Sequence, residues 1–439
     1  MLSPADYHLI RRDVDLSGLR LVLDTDALAA VLVAQFPDLN LSQVKRTYIR
    51  YKPATSCIVS YELMIAQTTV LAYAKAVTSA DKLEKYSQRP GVIQDFGIGR
   101  TVLKREGIIF SVLPNDNALK QLPKLFDPQL RQKRLQKLLL DRPDLSQAAL
   151  KTLRYKPERR YVAQLDAGEQ GQAVVKAYTS SNYQQAQVNA NAFDSIAPLQ
   201  IVPELGHSNR DRLLAFPWIV GSPLSQLITT SKAKWEKITQ TGIALAQLHQ
   251  QHPKHLNFLS RHDEATNLLL LASDLSWLCP QWKNRIQAIA VQLSTALLNA
   301  RPINFPIHGD FNAEQVLWSP NTNDITFLDF DRAVRSDPAA DLGSFIAKLM
   351  QDELRGVLSA EQREQIAADL IAGYRTAAPE LISEDQIQLY TAIGLLRLGA
   401  DPFRYCEFDW LEKIDTILCR IEQLMNRLPF DRFHSSCPA

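Results

Sequence analysis

The tetrapeptide Arg-Tyr-Lys-Pro occurs twice in this chain of 439 residues, at 50–53 and 154–157. Each copy opens a run that alternates as a strand does, IRYKPATSCIVSYEL at 49–63 and LRYKPERRYVAQLD at 153–166. Two further pairs follow in the same order. YAKAVTS around Lys75 answers VVKAYTS around Lys176, and GIIFSVLPNDNALKQL at 107–122 answers RLLAFPWIVGSPLSQL at 212–227. The three offsets are 104, 101 and 105 residues, a constancy that points to duplication of one sheet-bearing unit.

A second constraint lies at residues 305–345. An apolar approach (Phe305, Pro306, Ile307) delivers His308-Gly309-Asp310 to a short loop, and a second apolar run, 325–328, delivers Asp329 and Asp331. Both runs read as strands of a hairpin-like arrangement. A lone Asp after a strand is usually a turn or a helix cap. Here three acids, an amide and a His recur within about two dozen residues, a set suited to phosphoryl transfer. In that chemistry one carboxylate accepts a hydroxyl proton, while an amide and a second carboxylate hold divalent metal against the phosphates.

The segment resembles the catalytic centre of the aminoglycoside phosphotransferase and choline kinase-like small-molecule kinases, which share the protein-kinase fold. The resemblance implies that Asp310 is the catalytic base and Asp329 a metal ligand. Gln315 stands where the family has a metal-binding Asn. Its carbonyl oxygen still suits a hard cation, set one methylene further out. Asp341 matches the buried acid that braces the catalytic loop through backbone N–H groups, and His308 is a further brace. Asp329-Phe330-Asp331 replaces the Asp-Phe-Gly of protein kinases, which argues against a protein substrate.

The same resemblance makes Lys176, on the second repeat, the residue that binds the phosphates of ATP. Its bland reading is a solvated Lys at a strand edge. Lys75, whose copy has no His-Gly-Asp stretch of its own, reads as a relic or a surface residue. The stretch 213–220 resembles the hinge to the catalytic lobe. Two departures from the pattern stand out. The helix expected after Lys176, around 180–196, offers Gln184, Gln185, Gln187 and Asn189 but no Glu to pair with the Lys. The turn expected to cover the phosphates carries Arg159 and Arg160 in place of glycines; guanidinium groups can meet phosphate oxygens directly, although paired Arg on a hairpin also suits solvent.

The fold expected is therefore α+β, a protein-kinase-like two-lobe arrangement of a small antiparallel-sheet lobe and a mostly helical large lobe, preceded by a second, duplicated small-lobe-like domain. The divisions are a helical leader at 1–43, the first repeat at 44–146, the nucleotide lobe at 147–220 and the large lobe at 221–439. Trp235, Ile238, Gly242, Leu245 and Leu248 form one apolar helical stripe. A second helical run lies at 282–297, and others follow 345, including a final run at 386–427 and a tail from 428 without periodicity. His249, His252, His255 and His262 lack flanking Cys or carboxylates and read as solvated or hydrogen-bonded rather than metal-binding.

With ATP and Mg2+ as the implied cofactors, the expected activity is transfer of the terminal phosphate to a hydroxyl of a small molecule, such as a sugar, an amino alcohol or an aminoglycoside-like compound. The rival expectation is a catalytically decayed kinase-like protein that binds nucleotide or regulates. Asp401, Glu407 and Asp409 suit an amine-bearing acceptor or are surface charges. A net charge of +2 gives no field favouring nucleic acid or membrane lipid. Five scattered cysteines make no complete disulfide framework and fit a reducing cytoplasm. Neither a signal-peptide core nor a run of about 18 apolar residues occurs, so neither export nor membrane insertion is expected.

Overall fold

The computed structural model describes residues 2–88, 91–92, 97–230, 236–319 and 324–428. The chain divides into two compact units: Met1–Tyr183 with Leu205–Trp218 and Asp401–Glu412, and Gln184–Glu204 with Ile219–Ala400 and Lys413–Ala439. Among the described residues no helix is long and apolar enough to cross a membrane.

The first unit opens with helices Pro4–Arg12, Leu19–Leu23 and Thr25–Gln35. The first starts at a capping box of Ser3 and Asp6, and the third is capped by the Asp24 side chain and ends ahead of Pro37. A five-stranded antiparallel sheet follows, built from β1 (Leu41–Lys52), β2 (Ser56–Ile65), β3 (Thr68–Val77), β4 (Arg100–Leu103) and β5 (Ile108–Val112) in the order β1-β2-β3-β5-β4. β1 begins at Leu41, slightly inside the expected leader.

The next strands are β6 (Ala149–Lys156), β7 (Arg160–Asp166), β8 (Gln172–Tyr178), β9 (Leu199–Ile201), β10 (Gly206–Ser208) and β11 (Leu213–Pro217). Without β9, which lies in the other unit, they form a second sheet in the order β6-β7-β8-β11-β10. Strand order and hairpin pairing match those of the first sheet. The registers match as well: Arg50, Ile58, Lys75 and Ile109 lie in one row across the first sheet. Arg154, Val162, Lys176 and Leu214 do so in the second.

Both Tyr-Lys-Pro segments end in the same corner. Pro presets the second position of the turn, the third takes positive φ (Ala54 at 51°, Glu158 at 55°), and the fourth N–H closes on Lys52 or Lys156 O at 3.1 and 3.0 Å. One Asp clasps each corner. Asp13 accepts from the Tyr51 hydroxyl and the Ala54 N–H, and Asp116 from the Tyr155 hydroxyl and the Glu158 N–H.

One face of the second sheet, with Tyr161, Ala163 and Leu165 of β7 and Ala173, Val175 and Ala177 of β8, packs on Leu122, Leu125, Leu135 and Leu138. These leucines come from helices Leu122–Phe126 and Pro128–Leu138, between the two sheets. Each such leucine, fully buried, stabilises by about 1.5–3 kcal/mol.

The second unit holds β12 (Ser222–Pro223), β13 (Phe305–Ile307), β14 (Val316–Trp318), β15 (Ile325–Phe327) and β16 (Val334–Ser336) among helices. Sheets run β12-β14-β15-β9 and β13-β16. The two acid-delivering runs are thus not partners of one another: β13 pairs with β16, and β15 with β14 and β9. In helix Glu236–His249 the expected stripe (Ile238, Gly242, Leu245, Leu248) is buried, while Trp235 and residues from 429 onward lie outside the described residues. Any Cβ on Gly242 would collide with the Leu370 carbonyl, and one on Gly373 with that of Thr239, so two glycines let helices Glu236–His249 and Ala360–Ala377 approach closely. The final helical run is broken into Glu384–Leu398, Asp401–Arg404 and Trp410–Met425.

Candidate active site

Strand β13 ends where His308-Gly309-Asp310 begins. Gly309 has φ of +78°, and a Cβ there would strike the Arg332 carbonyl oxygen, so glycine alone lets the chain turn this close to its neighbour. Asp341, in the first turn of helix Ala339–Leu354, accepts the His308 N–H at 2.7 Å and the Gly309 N–H at 2.9 Å, one on each carboxylate oxygen. His249 Nε2 lies 3.0 Å from Asp341 Oδ2, and His249 Nδ1 2.9 Å from the Tyr374 hydroxyl. Burial pushes the Asp341 carboxyl up, but the hydrogen bond and charge of His249 and the loop amide together hold it below the usual carboxylate range.

His308 is buried, with Nε2 2.8 Å from Leu328 O and Nδ1 receiving the Asp310 N–H at 3.4 Å. A carbonyl oxygen only accepts, so Nε2 carries a proton and both ring nitrogens are committed. Phe311 and Phe330 pack on the ring, with centroids at 5.6 and 4.8 Å. Asp310 itself is 43% exposed, with the still more exposed Arg332 guanidinium 3.8 Å away. The Asn312 side chain donates to Asp310 O at 3.0 Å and accepts the Glu314 N–H at 2.9 Å, turning the chain into the short helix Ala313–Gln315.

Gln315 O accepts the Leu328 N–H at 2.9 Å, next to the β14–β15 hairpin. The main chain at Gln315 therefore adjoins Leu328, one residue before Asp329. Asp329 has left-handed φ and ψ of 67° and 53°, which Asp tolerates better than most residues. The following turn is anchored by buried Asn189, whose amide group donates to Phe330 O and Ala333 O, both at 2.9 Å. Gln185 donates to the Asn189 carbonyl oxygen at 2.6 Å.

The second unit thus gathers His308, Asp310, Gln315, Asp329 and Asp341 on one hydrogen-bonded framework. Among the described residues no three His, Cys, Asp or Glu side chains are gathered to hold a metal unaided. One carboxylate and one amide oxygen, as Asp329 and Gln315 carry, are a donor set that suits Mg2+, since that ion takes one or two protein carboxylates and completes its shell with water and phosphate oxygens.

Lys176, Arg159 and Arg160 belong to the first unit. Lys176 lies in β8 opposite Val162 and Leu214, with its ammonium 5.3 Å from the Phe216 ring centroid. Arg160 opens β7, and Arg159 is exposed at the β6–β7 corner. Asp401 is buried and pairs with Arg404 at 3.2 Å. Its neighbours Phe403 and Tyr405 pack edge-on against Tyr51 and Tyr48 of β1, which fits a structural role for this segment.

One reading needs correction. Lys75 is not a surface residue: its side chain is 16% exposed and its ammonium lies 2.6 Å from Glu158 Oε2. Of the two expected states, solvated or hydrogen-bonded, His249 takes the second, fully buried against Asp341 and Tyr374; nothing local in LAQLHQQHP separates it from the three histidines that follow.

A family model described as the phosphotransferase enzyme family matches residues 157–380, about half of the chain. Choline kinase from Cryptosporidium parvum is similar in structure, at 12% identity over 70% of this chain and 98% of its own, with a TM-score of 0.50. A choline/ethanolamine kinase family protein from Mesorhizobium loti matches at 16% identity over 65% and 90%, TM-score 0.45. The apo form of a thermostable aminoglycoside phosphotransferase mutant matches at 14% over 63% and 94%, TM-score 0.46. The choline kinase likeness concerns the fold. No curated protein sequence matches the chain.

Proposed function

The chain belongs to the phosphotransferase enzyme family, and from that premise we propose that it moves the terminal phosphate of ATP to a hydroxyl group of a small molecule. Asp310 accepts the hydroxyl proton. Asp329 and Gln315 hold Mg2+, which when bound neutralises charge on the phosphates. Lys176, with Arg159 and Arg160, steadies those phosphates. His308 and Asp341 keep the loop that carries Asp310 in one conformation. The observation that carries this reading is the double N–H clasp of Asp341 on His308 and Gly309, which fixes the backbone one residue ahead of a half-exposed carboxylate. Positioning of this kind supplies most of the rate in phosphoryl transfer.

The equal strand orders and rows of the two sheets support reading the first as a copy of the nucleotide lobe. The functional divisions then remain a leader, a first copy, a nucleotide lobe and a helical catalytic lobe. The decayed-scaffold reading gains nothing from the site, where Asp310 and Asp329 stand on an intact framework.

Consumption of ATP with Mg2+ over a panel of sugars, amino alcohols and aminoglycosides tests the proposal. One acceptor class raises turnover, and Asp310→Asn lowers it at least about 10³-fold with an unchanged melting temperature. Undiminished turnover in that variant removes Asp310 from the chemistry, and Mg2+-dependent ATP binding with no turnover on any acceptor favours the decayed form.

A further inference from the structure

The corner between β6 and β7 contains no glycine, and Glu158 takes the left-handed conformation there at φ of 55°. That backbone costs a non-glycine residue of order 1 kcal/mol or more and persists only where surroundings over-determine it. The surroundings are on the first sheet and just after it. Lys75 Nζ donates to Glu158 Oε2 at 2.6 Å, and the Arg50 guanidinium lies 3.7 Å from the same oxygen. Asn117 Nδ2 donates to Glu158 Oε1 at 3.1 Å, and Asp116 takes the Glu158 N–H at 2.8 Å. The Glu158 side chain is 11% exposed.

Lys75 and Arg50 occupy the row of the first sheet that Lys176 and Arg154 occupy in the second. In the first sheet the anion met by that row is built into the chain, as the carboxylate of residue 158. The next residue along the corner is Arg159.

We propose that the first sheet is a clamp on the phosphate-covering corner of the second, with Lys75 as a positioning residue that holds Glu158 and through it sets Arg159 for the phosphates of ATP. The proposal rests on the reading that the second sheet binds the nucleotide. It also means that the first sheet takes no nucleotide of its own, because its cations are already matched.

The test compares the full-length protein with Lys75→Met, Glu158→Gln, the double variant and Lys75→Arg, measuring dissociation constants for ATP with Mg2+ and for adenosine by calorimetry. Each single substitution raises the ATP constant about tenfold, the double variant is no worse than either, and adenosine binding stays within about twofold. KM for ATP rises with little change in kcat, and Lys75→Arg restores most of the affinity. Should Lys75→Met fail to fold, Glu158→Gln carries the test, since it keeps the shape of the side chain. Unchanged ATP affinity in the singles, multiplied losses in the double variant, or an equal loss for adenosine each overturn the clamp. If the unaltered protein binds neither ATP nor adenosine, the nucleotide-lobe reading falls, and the clamp falls with it.

Discussion

Asp341 is 1% exposed and still holds its carboxyl below the ordinary value of 3.8, because two main-chain N–H groups and His249 face it. A carboxylate with a depressed folded pKa stabilises the protein fully above its unfolded value, and that stability is lost as pH falls through the folded value. The loss at this residue therefore lies below about pH 4. Asp341→Asn turns an amide donor toward groups that already donate, at a cost of about 3–5 kcal/mol. Its melting temperature should be far lower at neutral pH and should lose part of the acid dependence seen in the unaltered protein; parallel acid curves would place the charge elsewhere. Much of this was legible in the sequence, because His308, Gly309 and Asp310 are contiguous and Asp341 opens a helical pattern close by. His249 was not. Its bond to Asp341 joins residues 92 apart, and four histidines in one stretch give no sign of which is buried.

Among elements, helix Ser180–Ala190 is the one whose function the sequence obscured. The missing Glu was legible, whereas the use of Asn189 was not, since one amide satisfying two carbonyls more than 140 residues away leaves no local pattern. Asn189→Ala takes its donor from the buried Ala333 carbonyl and leaves the Phe330 carbonyl with the Ala333 N–H alone, at about 1–3 kcal/mol. A lower melting temperature should accompany weaker Mg2+-dependent turnover, because the released turn directly follows Asp329. Full activity with a lowered melting temperature would confine Asn189 to stability. The partners of β13 and β15 were misread for a related reason: strands of three residues carry too little alternation to specify their neighbours.

On the scale of the whole molecule, the likeness in strand order of the two sheets was the most legible feature, since the three sequence offsets fall on residues that share a row in each. The cover of the second sheet was not, because the leucines that form it fall within the span of the first repeat, 44–146, and nothing in their spacing names the sheet they meet. In the structure Leu122, Leu125, Leu135 and Leu138 cover the apolar face of the second sheet. A chain starting at residue 148, which keeps the whole of the family match at 157–380, should therefore expose that face. It is expected to precipitate or to melt without a cooperative transition, and soluble, cooperative unfolding by circular dichroism would show that the sheet needs no such cover.

The two Asp clasps have a further consequence. Asp13 precedes the corner at 51–54 and Asp116 the corner at 155–158, so on the ribosome each latch is translated before the bend that it fastens. Synthesis from the amino end, which lets early segments settle first, hands every new sheet a finished receptor. A circular permutant that reversed this birth order would preserve the bonds yet deprive the nascent chain of its guide.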